Sequence, residues 1–223
     1  MSPSPEPRPR SPEPSPRSLS PSPKPRPTSP STADLNPTRR VPLRRVALTG
    51  GIGAGKSKAL EAFERGGAAV RSSDQIVHDL IAGDPEVRAA LEERFGTTDR
   101  ARIGAVVFAD RAELDWLEQL LHPRVRREYA TWIDQLGDSV DVAVVEIPLL
   151  YETGGETLFD AVVVVTAPEE TRRARAGERV GERSGRLLPD EEKVRRADYA
   201  YVNDGSLAEL EEFVSRVLEN LRR

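Results

Sequence analysis

An eight-residue glycine-rich segment constrains this chain more than any other feature. Residues 50–57 read GGIGAGKS and match the pattern G-x-x-x-x-G-K-[ST] at every fixed position. The apolar run Arg45–Thr49 precedes it and predicts a buried strand, and Lys56–Arg65 follows with helical spacing. Glycines let backbone N–H groups approach phosphate oxygens closely, and a helix N-terminus adds positive potential. The strand, the loop and the helix together predict a phosphate-binding site.

Each part of this P-loop has a predicted role. The Lys56 ammonium is expected to reach the β- and γ-phosphates of ATP, and the Ser57 hydroxyl is expected to bind Mg²⁺. ATP and Mg²⁺ are therefore the predicted cofactors. The remaining nucleotide contacts are expected from the other loop residues and the next helical residue, namely Gly50, Gly51, Ile52, Gly53, Ala54, Gly55 and Lys58.

The P-loop by itself leaves a switch GTPase, a motor ATPase and a kinase open. The chain has no N-K-x-D motif to read guanine and no D-x-x-G switch after the second predicted strand. These two features disfavour a GTPase. An adenine preference is not encoded by any visible base-reading motif, so it enters only with the family resemblance described below.

Strands and helices alternate through the rest of the chain. Near-continuous valine runs suit a parallel sheet that is covered on both faces. The alternation predicts an α/β fold with a P-loop NTPase core and a parallel doubly wound sheet. The further strands are expected at Ala68–Val70, Val142–Ile147, Ala161–Val165 and Asp198–Val202, and the further helices at about 74–95, 110–136 and 207–221.

Residues 1–40 have a different composition from the rest. Thirteen of the 19 prolines lie there, and almost no apolar side chains accompany them. Such a stretch predicts a disordered Pro/Ser/Arg-rich arm, because it has nothing to bury in a core. The arm is interpreted either as a tolerated tail, or as a ligand for a proline-binding module or a Ser-Pro phosphorylation target.

Charge and cysteine content limit which binding partners and which cellular compartment are expected. The arm holds seven of the 33 basic residues and only three of the 37 acidic ones, so the body is acidic and nucleic acid is not an expected partner. The chain has no cysteine and no apolar run long enough to span a bilayer. A cytoplasmic protein without a membrane segment is expected, and no feature sets its oligomeric state.

Five segments in the same order along the chain resemble the dephospho-CoA kinase family. They correspond to the family's opening P-loop stretch, its D-R-x-x-[LI]-G-x-x-[VI]-F segment, its H-P signature, its I-P-L-L-[FY]-E motif and its C-terminal segment. The resemblance covers about residues 44–221 and excludes the arm. The matching segments are residues 46–57, 99–110, 121–123, 147–154 and 191–199.

The resemblance implies a nucleoside-monophosphate-kinase-like fold for residues 44–221. A helical acceptor-binding subdomain is expected at about 72–135, and a lid at about 172–190. The implied reaction is transfer of the γ-phosphoryl group of ATP to the ribose 3′-hydroxyl of dephospho-CoA. This reaction is the last step in making coenzyme A, so dephospho-CoA is the predicted small-molecule substrate.

The resemblance also assigns roles to individual residues. Asp74 matches the second aspartate of the family's D-x-D motif and is expected to accept the hydroxyl proton or help place Mg²⁺. Arg175 and Arg179 match an R-x-x-x-R pair in the lid and are expected to neutralise the γ-phosphate from one helix face. Glu146 or Glu152 is expected to support the site from behind. The expected acceptor contacts are Asp74, His78, Arg100, His122, Pro148, Leu149 and Leu150.

Two positions depart from the family pattern. Ser72 stands where the first aspartate of D-x-D is expected, and serine supplies no negative charge. His78 stands where an arginine is expected, and neutral histidine is a weaker partner for phosphate. Two alternatives therefore remain open. One is another P-loop kinase for a nucleotide or small molecule, and the other is a catalytically weakened nucleotide-binding protein with a partner-binding arm.

Overall fold

The valine-rich segments form one five-stranded sheet in a computed structural model that describes residues 42–177 and 188–223. Every adjacent pair of strands is parallel, so the carboxyl ends of all five strands lie at the same edge. The strands are β1 Arg44–Thr49, β2 Ala69–Ser72, β3 Val142–Glu146, β4 Ala161–Thr166 and β5 Tyr199–Val202. Their order in the sheet is β2-β3-β1-β4-β5.

Eight α-helices within the described residues flank this sheet. A short 3₁₀-helix, Gly155–Leu158, precedes β4. The α-helices are α1 Lys56–Arg65, α2 Ser73–Gly83, α3 Pro85–Phe95, α4 Arg100–Ala109, α5 Arg111–Asp134, α6 Glu169–Ala176, α7 Asp190–Arg196 and α8 Leu207–Leu221. The predicted bounds of the first and last of these helices are confirmed.

The single helix predicted at about 74–95 is wrong, because the chain breaks it into α2 and α3. The Asp84 side chain accepts hydrogen bonds from the backbone N–H groups of Glu86 and Val87 at 2.9 and 3.0 Å. Pro85 occupies the first turn, where its missing N–H costs nothing. An N-cap followed by proline starts a new helix, and the apolar spacing on both sides hides this boundary.

Alternate strand residues fill two cores, one on each face of the sheet. Val46 and Leu48 of β1 pack with α1 and α8 on one face. Ala47 of β1 and Val145 of β3 pack on the other face with the helices of the segment between β2 and β3. Both faces are therefore covered, and the predicted α/β doubly wound fold is confirmed.

The helices between β2 and β3 form one packed group on the second face. The long helix α5 lies against α2 and α4, and its Leu121 and Val125 are buried in the core of that face. Trp116 of α5 meets Phe95 edge to face at a centroid distance of 5.5 Å. Trp132 also packs against this core, so both tryptophans of α5 contribute to packing.

No helix within residues 42–177 and 188–223 is long and apolar enough to cross a bilayer.

Candidate functional site

A cleft of about 790 Å³ opens at the carboxyl edge of the sheet. Ligands bind at this edge in open α/β folds, because the loops that leave the strands converge there. Residues from the P-loop, from the ends of β2 and β3, and from α2, α4 and α6 line the cleft. They are Ile52, Gly53, Gly55, Lys56, Ser57, Ser72, Asp74, Gln75, His78, Arg100, Glu146, Pro148 and Arg175.

The P-loop follows β1 closely, and three of its glycines adopt left-handed or otherwise positive φ angles. Gly50 has φ 148°, and a Cβ atom on it would lie 1.9 Å from the carbonyl oxygen of Val165 in β4. Gly53 and Gly55 have φ angles of 75° and 101°. Only glycine adopts such angles freely, so the loop can curl its amides inward around a phosphate.

Lys56 begins α1 and points back across the loop. Its Nζ donates a hydrogen bond to the Gly51 carbonyl oxygen at 3.1 Å and lies 3.9 Å from Glu146 Oε1. Burial lowers the pKa of Lys56, and the nearby negative charges of Glu146 and Asp74 oppose that change. The ammonium is therefore held over the loop without a close carboxylate bond that would prevent it from turning to a phosphate.

Glu146 is a candidate site residue that sequence reasoning underrated. It ends β3 beside the P-loop strand, and only 10% of its side chain is exposed. Burial raises the pKa of Glu146, whereas Lys56 and a hydrogen bond from the Ser72 hydroxyl lower it. The available signal was an acidic residue at the end of an otherwise all-apolar strand. Burying a carboxylate at this edge removes its hydration, and a nearby cation or ligand is needed to offset that loss.

Ser72 lies directly opposite Glu146 in the β2–β3 register, and its hydroxyl donates to Glu146 Oε2 at 2.9 Å. It occupies the N-cap position of α2 but makes no capping hydrogen bond with its side chain. Asp74, in the first turn of α2, is exposed in the cleft. Glu146 on the neighbouring strand therefore lies within hydrogen-bond distance of position 72, where the family pattern has a carboxylate.

Three of the predicted acceptor contacts line the cleft beside Asp74. Arg100 Nη1 lies 2.6 Å from His78 Nδ1, so the first turn of α4 meets the second turn of α2. Because a guanidinium only donates, His78 accepts at Nδ1 in this pair, and its Nε2 then carries the proton. Pro148, in the loop after β3, also lines the cleft, and its carbonyl oxygen accepts from the Thr49 hydroxyl at 3.3 Å.

The structure does not bring the other predicted acceptor contacts into this cleft. Leu150 is fully buried in the core that α5 helps to form and does not line this cleft, so its acceptor contact stays a prediction. Leu149 and His122 are half-buried and do not line the cleft. His122 lies in the middle of α5.

The remaining P-loop residues support the loop from behind or lie outside it. Gly50, Gly51 and Ala54 do not line the cleft through their own atoms, and Ala54 is fully buried. Lys58 points to solvent and pairs with Glu61, with Nζ 2.8 Å from Oε2.

Arg175 in the last turn of α6 lines the cleft and is the one lid arginine of the predicted pair that the structure describes. Its Nη1 donates to the Asn203 carbonyl oxygen at 3.4 Å. Arg179 lies outside the described residues. The shared helix face therefore stays a prediction, and within the described residues α6 ends at Ala176, with Gly177 following at φ 62° and ψ −145°.

Glu152 joins the loop after β3 to the segment that follows residue 187. Its Oε1 accepts from the Leu188 backbone N–H at 2.9 Å. The same oxygen lies 2.9 Å from Nζ of the fully buried Lys193, at an ion-pair distance but without the angles of a hydrogen bond. Glu152 therefore holds the chain on the far side of the predicted lid, rather than lining the cleft itself.

The oxygen atoms in the cleft suit a hard divalent cation. Ser57 supplies a hydroxyl, and Asp74 and Glu146 supply carboxylates. Within residues 42–177 and 188–223, no three His, Cys, Asp or Glu side chains converge on one point. This sparse donor set fits Mg²⁺, which proteins commonly hold through one or two oxygen ligands together with substrate phosphates.

Comparisons with known proteins agree with this geometry. The family model for dephospho-CoA kinase matches residues 44–209. A dephospho-CoA kinase from Mesorhizobium japonicum is 39% identical over 191 residues, which cover 79% of this chain and 96% of that protein. One from Rhodopseudomonas palustris strain BisB18 is 37% identical, with 79% and 94% coverage.

Solved structures give the same result for the fold. A Thermus thermophilus protein has a TM-score of 0.68 at 32% identity and covers 82% of this chain and 99% of its own. A dephospho-CoA kinase from Campylobacter jejuni has a TM-score of 0.54 at 23% identity, with 80% and 97% coverage, and supports the fold alone. Because the family model covers most of the chain and the curated relatives match almost end to end, the chain belongs to the dephospho-CoA kinase family.

Proposed function

We propose that this protein transfers the γ-phosphoryl group of ATP to the ribose 3′-hydroxyl of dephospho-CoA and forms coenzyme A and ADP. A bond forms between the 3′-oxygen and the γ-phosphorus, the bond from that phosphorus to the β–γ bridging oxygen breaks, and the hydroxyl proton leaves. The observation that carries the proposal is the convergence of Lys56, Glu146, Asp74 and Arg100 on one cleft in a chain of this family.

The P-loop side of the cleft is proposed to bind ATP. Backbone amides of residues 50–57 surround the phosphates, and Lys56 and Arg175 spread positive charge over the oxygens of the group in transfer. Lys56 is suited to this, because its ammonium donates a hydrogen bond to the Gly51 carbonyl oxygen and lies 3.9 Å from Glu146 Oε1, too far for a hydrogen bond. The predicted role of Arg179 remains part of this proposal.

The side formed by α2 and α4 is proposed to bind the acceptor. Asp74 is exposed at the start of α2 and takes the proton of the attacking hydroxyl. Arg100 offers a guanidinium to the acceptor's phosphates, and His78 holds that guanidinium in place. The helical part at about 72–135 is thus the proposed acceptor-binding region, and about 172–190 the proposed lid.

Mg²⁺ is the proposed companion of ATP in this cleft. The ion would be held by the Ser57 hydroxyl and, directly or through water, by Glu146 and Asp74. It supplies charge neutralisation at the phosphate oxygens when it is bound. Glu146 keeps its carboxylate oriented because Ser72 donates to Oε2 while Lys56 lies on the side of Oε1.

An assay with defined components tests the proposal. Purified protein with ATP, Mg²⁺ and dephospho-CoA is expected to form coenzyme A, followed by mass spectrometry. Lys56→Ala is expected to lower kcat by about 100- to 1000-fold, because it removes a preorganised charge from the transferring group. Arg65→Ala, which removes a cation from the far end of the same helix, is the matched control and is expected to keep wild-type activity.

Two outcomes would count against the proposal. Product formation with another nucleotide or sugar acceptor but not with dephospho-CoA would favour a different P-loop kinase. Bound ATP with no product from any acceptor would favour a nucleotide-binding protein without turnover, in which residues 1–40 serve partner recognition. A cytoplasmic location and a substrate-only set of partners, without nucleic acid, belong to the same proposal.

A further inference from the structure

Asn203, the residue that follows β5, has no role in the reaction described so far. Its side chain is buried, with 6% exposure, at the carboxyl edge of the sheet. A buried amide needs hydrogen-bond partners, because leaving it unpaired costs about 1–3 kcal/mol. The partners that Asn203 makes connect it to the nucleotide side of the cleft.

The first connection is to the P-loop. Asn203 Nδ2 donates to the Ala54 carbonyl oxygen at 2.8 Å, across 149 residues of sequence. The same nitrogen packs against Gly55, where an added Cβ would lie only 2.2 Å from it. Gly55 has φ 101° and directly precedes Lys56, so the amide contacts the turn that aims the lysine.

The second connection is to α6. The Asn203 carbonyl oxygen accepts from Arg175 Nη1 at 3.4 Å. The Asn203 backbone N–H donates to the Thr166 carbonyl oxygen at 2.7 Å, which fixes the residue to the end of β4. One residue at a rigid strand end thus contacts both the loop that precedes Lys56 and the side chain of Arg175.

We propose that Asn203 is a positioning residue for nucleotide binding. It fixes the position of the P-loop at Ala54 and Gly55 and holds the Arg175 side chain at the cleft. It acts through these groups and does not itself contact the transferring phosphoryl group. Its replacement therefore weakens nucleotide binding while leaving acceptor binding on the α2 and α4 side unchanged.

Direct binding measurements test this inference without relying on the identity of the acceptor. Isothermal titration with Mg²⁺ and a non-hydrolysable ATP analogue is expected to show a dissociation constant about 10-fold weaker for Asn203→Ala than for wild type, as expected for one buried hydrogen bond. If the chain has activity with dephospho-CoA, the KM for ATP should rise, and the KM for dephospho-CoA should stay the same.

Two further variants separate positioning from general stability. Asn203→Asp replaces the donor with a carboxylate that repels the Ala54 carbonyl oxygen. At neutral pH nucleotide binding should therefore be weaker than in Asn203→Ala. At lower pH the carboxyl group takes a proton and can donate again, so the affinity should recover relative to wild type. Asp160→Asn weakens the pairing of Asp160 with Arg45 before β4, at the opposite edge of the sheet, where their atoms lie 2.9 Å apart. It should lower Tm and leave the dissociation constant unchanged.

Unchanged nucleotide affinity in Asn203→Ala, with a lower Tm, would overturn the inference and leave Asn203 a packing residue. If the affinity of Asn203→Asp does not recover relative to wild type at lower pH, the hydrogen-bond explanation is overturned. Absence of product with intact nucleotide binding in the wild-type chain would instead count against the proposed reaction, so the two failures are distinguishable.

Discussion

The P-loop side of the cleft, which is the proposed nucleotide side, and the other side, which is the proposed acceptor side, are built in different ways. The P-loop is one contiguous segment between β1 and α1, and its conformation follows from glycines at positions 50, 53 and 55. The other side, called the assembled side below, combines residues from α2 and α4 with the ends of β2 and β3, which are far apart in the sequence. The contiguous side keeps its motif intact, whereas the assembled side departs from the family pattern at Ser72 and His78.

This difference shows how a site tolerates change. A P-loop glycine has no substitute, because no other residue adopts its backbone freely. We propose that the neighbouring strand can supply a carboxylate on the assembled side, because Glu146 lies directly opposite Ser72. The predictions below test this contrast, beginning with the largest expected effect.

Gly50→Ala should break the nucleotide side. The new Cβ would lie 1.9 Å from the Val165 carbonyl oxygen. The loop or β4 must therefore move by more than about 1 Å, and a displacement of that size lowers kcat/KM by about 100-fold or more. Steady-state kinetics and the thermal unfolding midpoint measure the effect. Gly83→Ala is the matched control, because nothing lies within 4 Å of its added Cβ; equal losses in both variants would contradict the prediction.

Glu146→Gln should impair catalysis on the assembled side without unfolding the chain. The amide keeps the shape but removes the charge beside Lys56, so kcat should fall by about 10- to 100-fold, as for groups that orient a metal or its ligands. Steady-state kinetics at several Mg²⁺ concentrations measures this loss, and wild-type kcat at every concentration would contradict the proposed role of the carboxylate.

Moving the carboxylate from β3 to β2 tests whether the two strand positions can replace each other. Ser72→Asp in the wild-type background places a second carboxylate against Glu146 and should lower activity, because two like charges share one half-buried site. Ser72→Asp combined with Glu146→Ser moves the single charge to β2 and should recover part of the loss. A double variant that is as impaired as Glu146→Ser alone would contradict the proposed exchange between strands.

Arg100→Ala should raise the KM for dephospho-CoA by about 10-fold and leave the KM for ATP unchanged, because it removes one charge-assisted contact to the acceptor. Initial rates with each substrate varied in turn give both constants. Arg102→Ala, which removes an exposed arginine two residues along the same helix, is the control. If both constants rise together in Arg100→Ala, the assignment of this side to the acceptor is wrong.

Ser72→Ala should produce the smallest change, which is a shift in pH dependence. Burial raises the pKa of Glu146, and the Ser72 hydroxyl lowers it by stabilising the ionised form. Activity that requires the carboxylate is lost as pH falls through that pKa, so removing the hydroxyl should move the acid limb of the kcat profile to higher pH. An unchanged or lower acid limb would exclude the hydrogen bond as a determinant of the profile.

Local patterns in the sequence determined the nucleotide side of this protein and the class of its fold. The P-loop, the valine-rich strands and the helices α1 and α8 were predictable, because glycine content, apolar runs and helical spacing act over a few neighbouring residues. The break between α2 and α3 is also local, at Asp84 and Pro85, but continuous apolar spacing concealed it.

Only the tertiary structure decided which distant residues meet. Parallel pairing of β2 with β3 brings Ser72 against Glu146, and pairing of β4 with β5 brings Asn203 to Ala54. Core packing withdraws Leu150 from the cleft, although its motif predicted a substrate contact. The residues of a single strand do not determine strand order or register, because both depend on which apolar surfaces are buried together. The sequence therefore identified the phosphate loop, whereas the fold assembled the rest of the site around it.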